Sequence, residues 1–125
     1  MSRRDALRIG DCLDHVVRAI GNIGLYTAGM SFETYLADGK TQDAVLRNLE
    51  VIGEACHRIT TDHPAFAAAH PQVPWLAAYG MRNALAHGYF KVDQQIVWST
   101  IRNDLPTLES EIQSVQRSLP GTGTP

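Results

Sequence analysis

Four side chains that can do acid–base or phosphate chemistry stand together in the run Arg82-Asn83-Ala84-Leu85-Ala86-His87-Gly88-Tyr89. An imidazole takes and returns a proton near neutral pH. A guanidinium stays charged and offers two parallel hydrogen bonds to a phosphate. On a helix, Asn83 and His87 are four residues apart and so only ~40° apart around the axis, close enough for the amide to fix the imidazole tautomer. Arg82 and His87 are five apart, ~140° around. They converge only through the long arginine stem, through loosening of the helix near Gly88, or across two subunits. Tyr89 follows the helix end and is free to present its hydroxyl. The same run also reads as a helix C-terminus where a histidine favours the macrodipole and the arginine is a solvated flank. Helical geometry alone leaves both readings open.

The elements that must position this run are helical. Ile9, Leu13, Val16, Ile20 and Ile23 recur in steps of four and three, which predicts a helix from about Arg4 to Tyr26, started by Ser2 with Asp5 and ended at Ala28-Gly29. A short segment, Ser31 to Leu36, predicts one or two turns closed by Asp38-Gly39. A second long helix, about Thr41 to His63, carries the stripe Val45, Leu49, Ile52, Cys56 and Ile59 and stops at Asp62-His63-Pro64. A connection with Pro64, Pro71 and Pro74 follows, with an alanine-rich turn inside it. Residues 74–87 predict a third substantial helix with Gly88 as its left-handed cap. The last helix, about Asp93 to Leu119, shows Ile101, Leu105, Leu108, Ile112, Val115 and Leu119, with a kink expected at Pro106. No strand alternation and no internal repeat is present. The expected fold is all-α, a four- to five-helix up-and-down bundle formed by residues 1–119, with residues 120–125 as a flexible tail.

Composition narrows the function classes. At 125 residues the chain is one domain in size, and its 44% hydrophobic content suffices for one core. The charged fraction of 19% leaves a lean surface, which points weakly to a partner. The net charge of −2 is unlike a general nucleic-acid binder, which gains most of its affinity by neutralising phosphates. Any RNA contact therefore needs a local cluster, or two copies of one. Cys12 and Cys56 lack metal-ligand spacing and read as small core side chains in a reducing compartment. There is no metal site in the pattern and no cofactor motif. No apolar run approaches a membrane span, and no signal-peptide core opens the chain, so the expected location is cytoplasmic.

Several islands occur in a fixed order: Asn48 to Ala55, Pro74-Trp75, Gly80 to Asn83, His87 to Phe90, Val97-Trp98 and Asn103 to Pro106. Together they strongly resemble the HepT-like branch of the HEPN superfamily, over roughly residues 4 to 117. The family's central pattern, arginine, four intervening residues, histidine, one residue and tyrosine, matches Arg82, His87 and Tyr89. The resemblance implies a helical bundle that forms a homodimer, with the arginine and histidine of both subunits lining one cleft. It implies metal-independent cleavage of RNA (tRNA or mRNA) by a toxin. It also implies a minimal nucleotidyltransferase as the antitoxin, which silences the toxin by transferring AMP to the tyrosine, here Tyr89.

The chemistry is consistent with that expectation. Metal-free RNA cleavage needs a base for the 2′-hydroxyl proton, an acid for the leaving 5′-oxygen and a fixed cation for the phosphoryl charge. One chain supplies one histidine in the run, whereas a two-fold dimer supplies two. His87 is then the acid/base, Arg82 the phosphate clamp and Asn83 the orienter. Glu54 and Arg47 share the polar face of the second long helix with Glu50 and Arg58. Either this is a solvated face with pairs such as Glu54 with Arg58, or it lines a dimer cleft where Glu54 holds Arg82. His15, His57, His63 and His70 read as structural or surface residues, and Trp75 and Trp98 as core or interface anchors. The competing functional reading is a non-catalytic helical partner that docks a nucleotidyltransferase and presents Tyr89 to it.

Overall fold

Ser2 precedes a helix, α1 (Arg3–Thr27), and its hydroxyl accepts the Asp5 N–H at 3.0 Å, so the helix starts where the sequence offers a cap. This computed structural model describes residues 1–80 and 92–119. All five residues of the predicted α1 stripe are buried, from Ile9 to Ile23. The helix ends before Gly29, whose φ of 75° is the left-handed conformation that glycine adopts without a Cβ penalty.

A reciprocal capping box opens α2 (Phe32–Leu36). The Ser31 hydroxyl accepts the Thr34 N–H at 3.2 Å, and the Thr34 hydroxyl accepts the Ser31 N–H at 2.9 Å. The following Asp38-Gly39 pair opens the next helix, α3 (Gly39–Asp62), instead of closing α2. Asp38 accepts the Thr41 N–H at 3.0 Å and the Thr41 hydroxyl at 2.9 Å. Those bonds to its anionic form hold its carboxyl below the usual range. The helix therefore begins two residues earlier than its apolar stripe suggests.

Pro64 starts the alanine-rich turn as a true helix, α4 (Pro64–Ala69), at a position where the missing N–H costs nothing. Residues 75–80 are helical and form α5. After Asp93, which caps with two backbone N–H groups, come α6 (Gln94–Ser99), a π-helical turn (Thr100–Asp104) and α7 (Leu105–Ser118). The expected kink at Pro106 takes a different form. The Leu105 N–H reaches the carbonyl of Thr100, one residue further back than in an α-helix, and Pro106 sits in the first turn of the helix that restarts. A proline ring crowds the carbonyl four residues before it, and widening the preceding turn relieves that crowding. The apolar stripe survives the insertion, with Ile101, Leu105, Leu108, Ile112, Val115 and Leu119 all buried.

The central packing is α1 against α3. Asn22 Nδ2 donates to Asn48 Oδ1 at 3.2 Å, while Cys12 lies within electrostatic range of Cys56 and Arg58. Moving back along α1 thus moves forward along α3, and the two helices are antiparallel. α7 packs on α1, where Gln116 Nε2 donates to Asp14 Oδ1 at 2.9 Å. α2 and α6 close one end, with the Tyr35 hydroxyl donating to Gln94 Oε1 at 2.6 Å and the Tyr35 and Trp98 rings 5.1 Å apart. Burial pushes the Tyr35 phenol up to about 12. The guanidinium of Arg102 lies 5.6 Å from the Trp98 ring centre, which makes Trp98 part of this packing. Among the described residues there is no strand, so the fold is all-α as the periodicities imply. No described helix is long and apolar enough to cross a membrane.

Ile52 is wholly buried between α1 and α3, whereas Leu25 is 74% exposed. Ile52→Ala is expected to lose about 2–5 kcal/mol in urea unfolding, while Leu25→Ala changes stability by less than about 0.5 kcal/mol. Equal losses at the two positions would contradict this placement of the core.

Candidate active site

The residues predicted to do the chemistry, Arg82, Asn83, His87 and Tyr89, lie outside the described residues, as does the Gly88 cap. The structure does define the ground on which their run begins. Trp75, nearly buried at the start of α5, donates its indole N–H to the carbonyls of Ala67 and His70 at 3.2 and 3.1 Å. Val73 and Ala78 are buried beside it. Trp75 thereby ties α5 to α4, since an indole buried without a partner for its N–H would be costly. At the other end of α5, Tyr79 stacks on His57 of α3 with ring centres 4.0 Å apart and planes 18° apart. Two contacts thus fix α5 over residues 75–80.

On the other flank of α3 an open cleft of about 1000 Å³ runs between α1 and α3. Both Glu54 and Arg47 line this open, solvent-facing groove. Glu54 is exposed within the cleft, and Arg47 pairs with Glu50 at 3.7 Å along the helix. An exposed pair of this kind contributes little to stability. The antiparallel register brings opposite charges to the two walls: Arg8 at the level of Asp62, Asp11 at that of Arg58, and Arg18 at that of Glu50. Arginines and carboxylates are balanced here. The cleft therefore lacks the basic excess that a phosphate backbone requires.

Sequence reading missed three features. Arg8, Asp11 and Arg18 of α1 join the cleft, and so do His15 and His63, which the sequence reads as structural or surface residues. His57, also read as a structural or surface residue, is the platform beneath Tyr79. Helical spacing within one segment carries no signal for such meetings, because each depends on the register between separate helices. Among the described residues no three His, Cys, Asp or Glu side chains gather as metal ligands.

Comparison with known proteins decides the family. The family model for HepT-like ribonucleases matches residues 16–115. The chain belongs to the HepT-like ribonuclease family. A Thermococcus cleftensis protein named a probable ribonuclease HepT is 39% identical over 107 residues, covering 86% of this chain and 94% of that protein. A candidate RNase of Methanocaldococcus jannaschii is 38% identical over 96 residues, 77% of each chain. A candidate RNase of Caldanaerobacter subterraneus is 34% identical over 103 residues, covering 82% of this chain and 89% of that one. No solved structure matches. Arg82, Asn83, His87 and Tyr89 of this HepT-like chain lie within the matched span.

Cys12 lines the cleft, and its thiol is pushed up by burial, partly offset by the Arg58 guanidinium. Cys56 is deeper, and burial raises it to about 12. Thiolates are the reactive species. Timed alkylation of the folded protein at pH 8 should therefore label Cys12 before Cys56, with Cys56 reacting only on unfolding. Fast labelling of Cys56 in the native state would overturn this burial order.

Proposed function

We propose that this chain is the toxin of a toxin–antitoxin pair, a dimeric endoribonuclease that cleaves RNA without a metal ion. The observation that carries the reading is membership of a ribonuclease family over residues 16–115, with the arginine, histidine and tyrosine of the family's pattern at Arg82, His87 and Tyr89. The curated relatives named as ribonucleases cover most of the chain.

In this reading His87 removes the proton from an RNA 2′-hydroxyl, and the oxygen attacks the adjacent phosphorus. The P–O5′ bond breaks, leaving a 2′,3′-cyclic phosphate, and a second imidazolium protonates the departing 5′-oxygen. Arg82 binds the phosphoryl oxygens, where negative charge builds, and its planar fork matches two of them. Asn83, one turn from His87, holds the imidazole tautomer. The second histidine is His87 of the other protomer, which makes the homodimer the catalytic unit. The charge balance of the α1/α3 cleft favours placing RNA at the Arg82–Tyr89 run and not along α1.

The antitoxin in this proposal is a nucleotidyltransferase that transfers AMP from a nucleoside triphosphate to the Tyr89 hydroxyl and releases pyrophosphate. The resulting ester removes a hydroxyl and adds a bulky anion beside the phosphate clamp, which repels RNA and occupies its place.

Purified protein carrying an unmodified Tyr89 is expected to cleave total RNA or tRNA in EDTA. Arg82→Ala and His87→Ala should each reduce the rate by about 10²-fold or more while the dimer persists in sedimentation. Full activity of His87→Ala would remove the histidine from the mechanism. No cleavage by unmodified wild-type dimer would instead favour a non-catalytic partner that presents Tyr89 to a nucleotidyltransferase. Mass spectrometry after co-expression with such an enzyme should find AMP on Tyr89, and modification confined to other residues would refute that assignment.

A further inference from the structure

Charged side chains line the α1/α3 groove at matched levels: Arg8 with Asp62, Asp11 with Arg58, and Arg18 with Glu50. Along these levels α1 reads plus, minus, plus, and α3 reads minus, plus, minus. Arg8, Asp11, Arg18, Arg58 and Asp62 are exposed, and among the described residues none of them closes an ion pair across the groove. Arg47 and Glu50 do pair, but along α3 and not across to α1. Opposite charges thus face each other over open solvent without meeting.

A second copy of this chain meets that pattern in one orientation. A two-fold axis lying along the groove leaves each level in place and exchanges the two walls. α1 of one protomer then lies over α3 of the other, and each of these charges faces one of opposite sign. Arg8 faces the partner's Asp62, Asp11 the partner's Arg58 and Arg18 the partner's Glu50, and the symmetry repeats every pair. An axis across the groove instead lays each helix on its own copy. Centred on the lining stretch of α1, it sets His15 against the partner's His15 and Arg8 near the partner's Asn22, and the matching is lost. That stretch, Arg8 to Asn22, is ~21 Å long, about four turns of helix available for contact. Ala19, Val51 and Ala55 also line the groove, and their small side chains let two such faces approach.

We propose that the α1/α3 groove is the face through which two copies of this chain associate, with the two-fold axis along the groove and α1 of each protomer paired by charge to α3 of the other. The proposal takes the homodimer from the ribonuclease reading and supplies its surface, while the choice of face rests on charge complementarity. Pairs of this kind select partner and register and quicken association more than they add affinity. The arrangement also accounts for a groove rich in charge yet without basic excess. Its complement is its own copy and not a phosphate backbone.

The test uses Asp11→Arg and Arg58→Glu in the full-length protein, followed by sedimentation, with circular dichroism to confirm that each variant is folded. Either reversal sets like charges against each other twice per dimer, so each variant alone should dissociate about tenfold or more readily than wild type. An equimolar mixture should restore dimers of nearly wild-type affinity. In the mixed dimer the new arginine meets the new glutamate, and the unchanged Arg58 of one chain meets the unchanged Asp11 of the other. Within each chain the charges at that level remain alike, so recovery on mixing reports a contact between chains. Arg18→Glu with Glu50→Arg repeats the test at another level. If the single variants dimerise like wild type, or if mixing restores nothing, this face is not the interface and the proposal fails. A monomeric wild type would overturn it too. RNA cleavage by the same samples separates the two readings. Cleavage by a dimer indifferent to these reversals removes this interface alone, whereas a dimer that obeys the charge pattern yet cleaves no RNA removes the ribonuclease reading alone.

Discussion

The antiparallel packing of α1 against α3 is the constraint on which the rest of the molecule depends. These are the two longest helices, and each contributes a stripe of aliphatic residues with essentially no exposed surface, Leu13, Val16 and Ile23 facing Val45, Ile52 and Ile59. Removing such side chains from water contributes about 1.5–3 kcal/mol each before the entropy of ordering them is subtracted. Everything else takes its place from this pair. α7 lies on α1, α2 and α4 lie at opposite ends of α3, and the cleft is the groove left between the two helices on their polar side. A change in their register moves every charge on both cleft walls relative to its opposite.

Polar anchors then fix the shorter elements, which bury too little to place themselves. Tyr35 with Gln94 and Trp98 seats α2 on α6, and the Trp75 indole seats α5 on α4. Each is a large ring whose polar tip finds a partner, so burial costs no unsatisfied donor. The π-helical turn before Pro106 belongs to the same logic. One extra residue is accommodated in the backbone, and the apolar stripe on either side of it still faces the core.

For function, the consequence is a division of labour around α3. One flank forms the charged cleft with α1, and the other carries His57 and supports α5 through Tyr79. The chain belongs to the HepT-like family, and the structure shows what seats α5 against α3 and α4. The protein is nearly neutral and its α1/α3 cleft is balanced in charge, so phosphate binding depends on cations acting locally.

The helical class, the buried stripes of α1, α3 and α7, the Ser2 cap and the pattern at Arg82, His87 and Tyr89 are legible in residue order alone. These are local properties: a 3.6-residue period and a capping side chain act within one segment, and the pattern is read directly from residue order. Asp38-Gly39 shows the limit of local reading, since an Asp-Gly pair can end one helix or begin the next, and only the Thr41 hydrogen bonds select the second. Tertiary structure alone decided that Glu54 and Arg47 face a cleft, that His15 and His63 join them, and that His57 meets Tyr79. Those outcomes follow from how separate helices rotate and slide against one another to bury their stripes, and no spacing within a single helix encodes that choice.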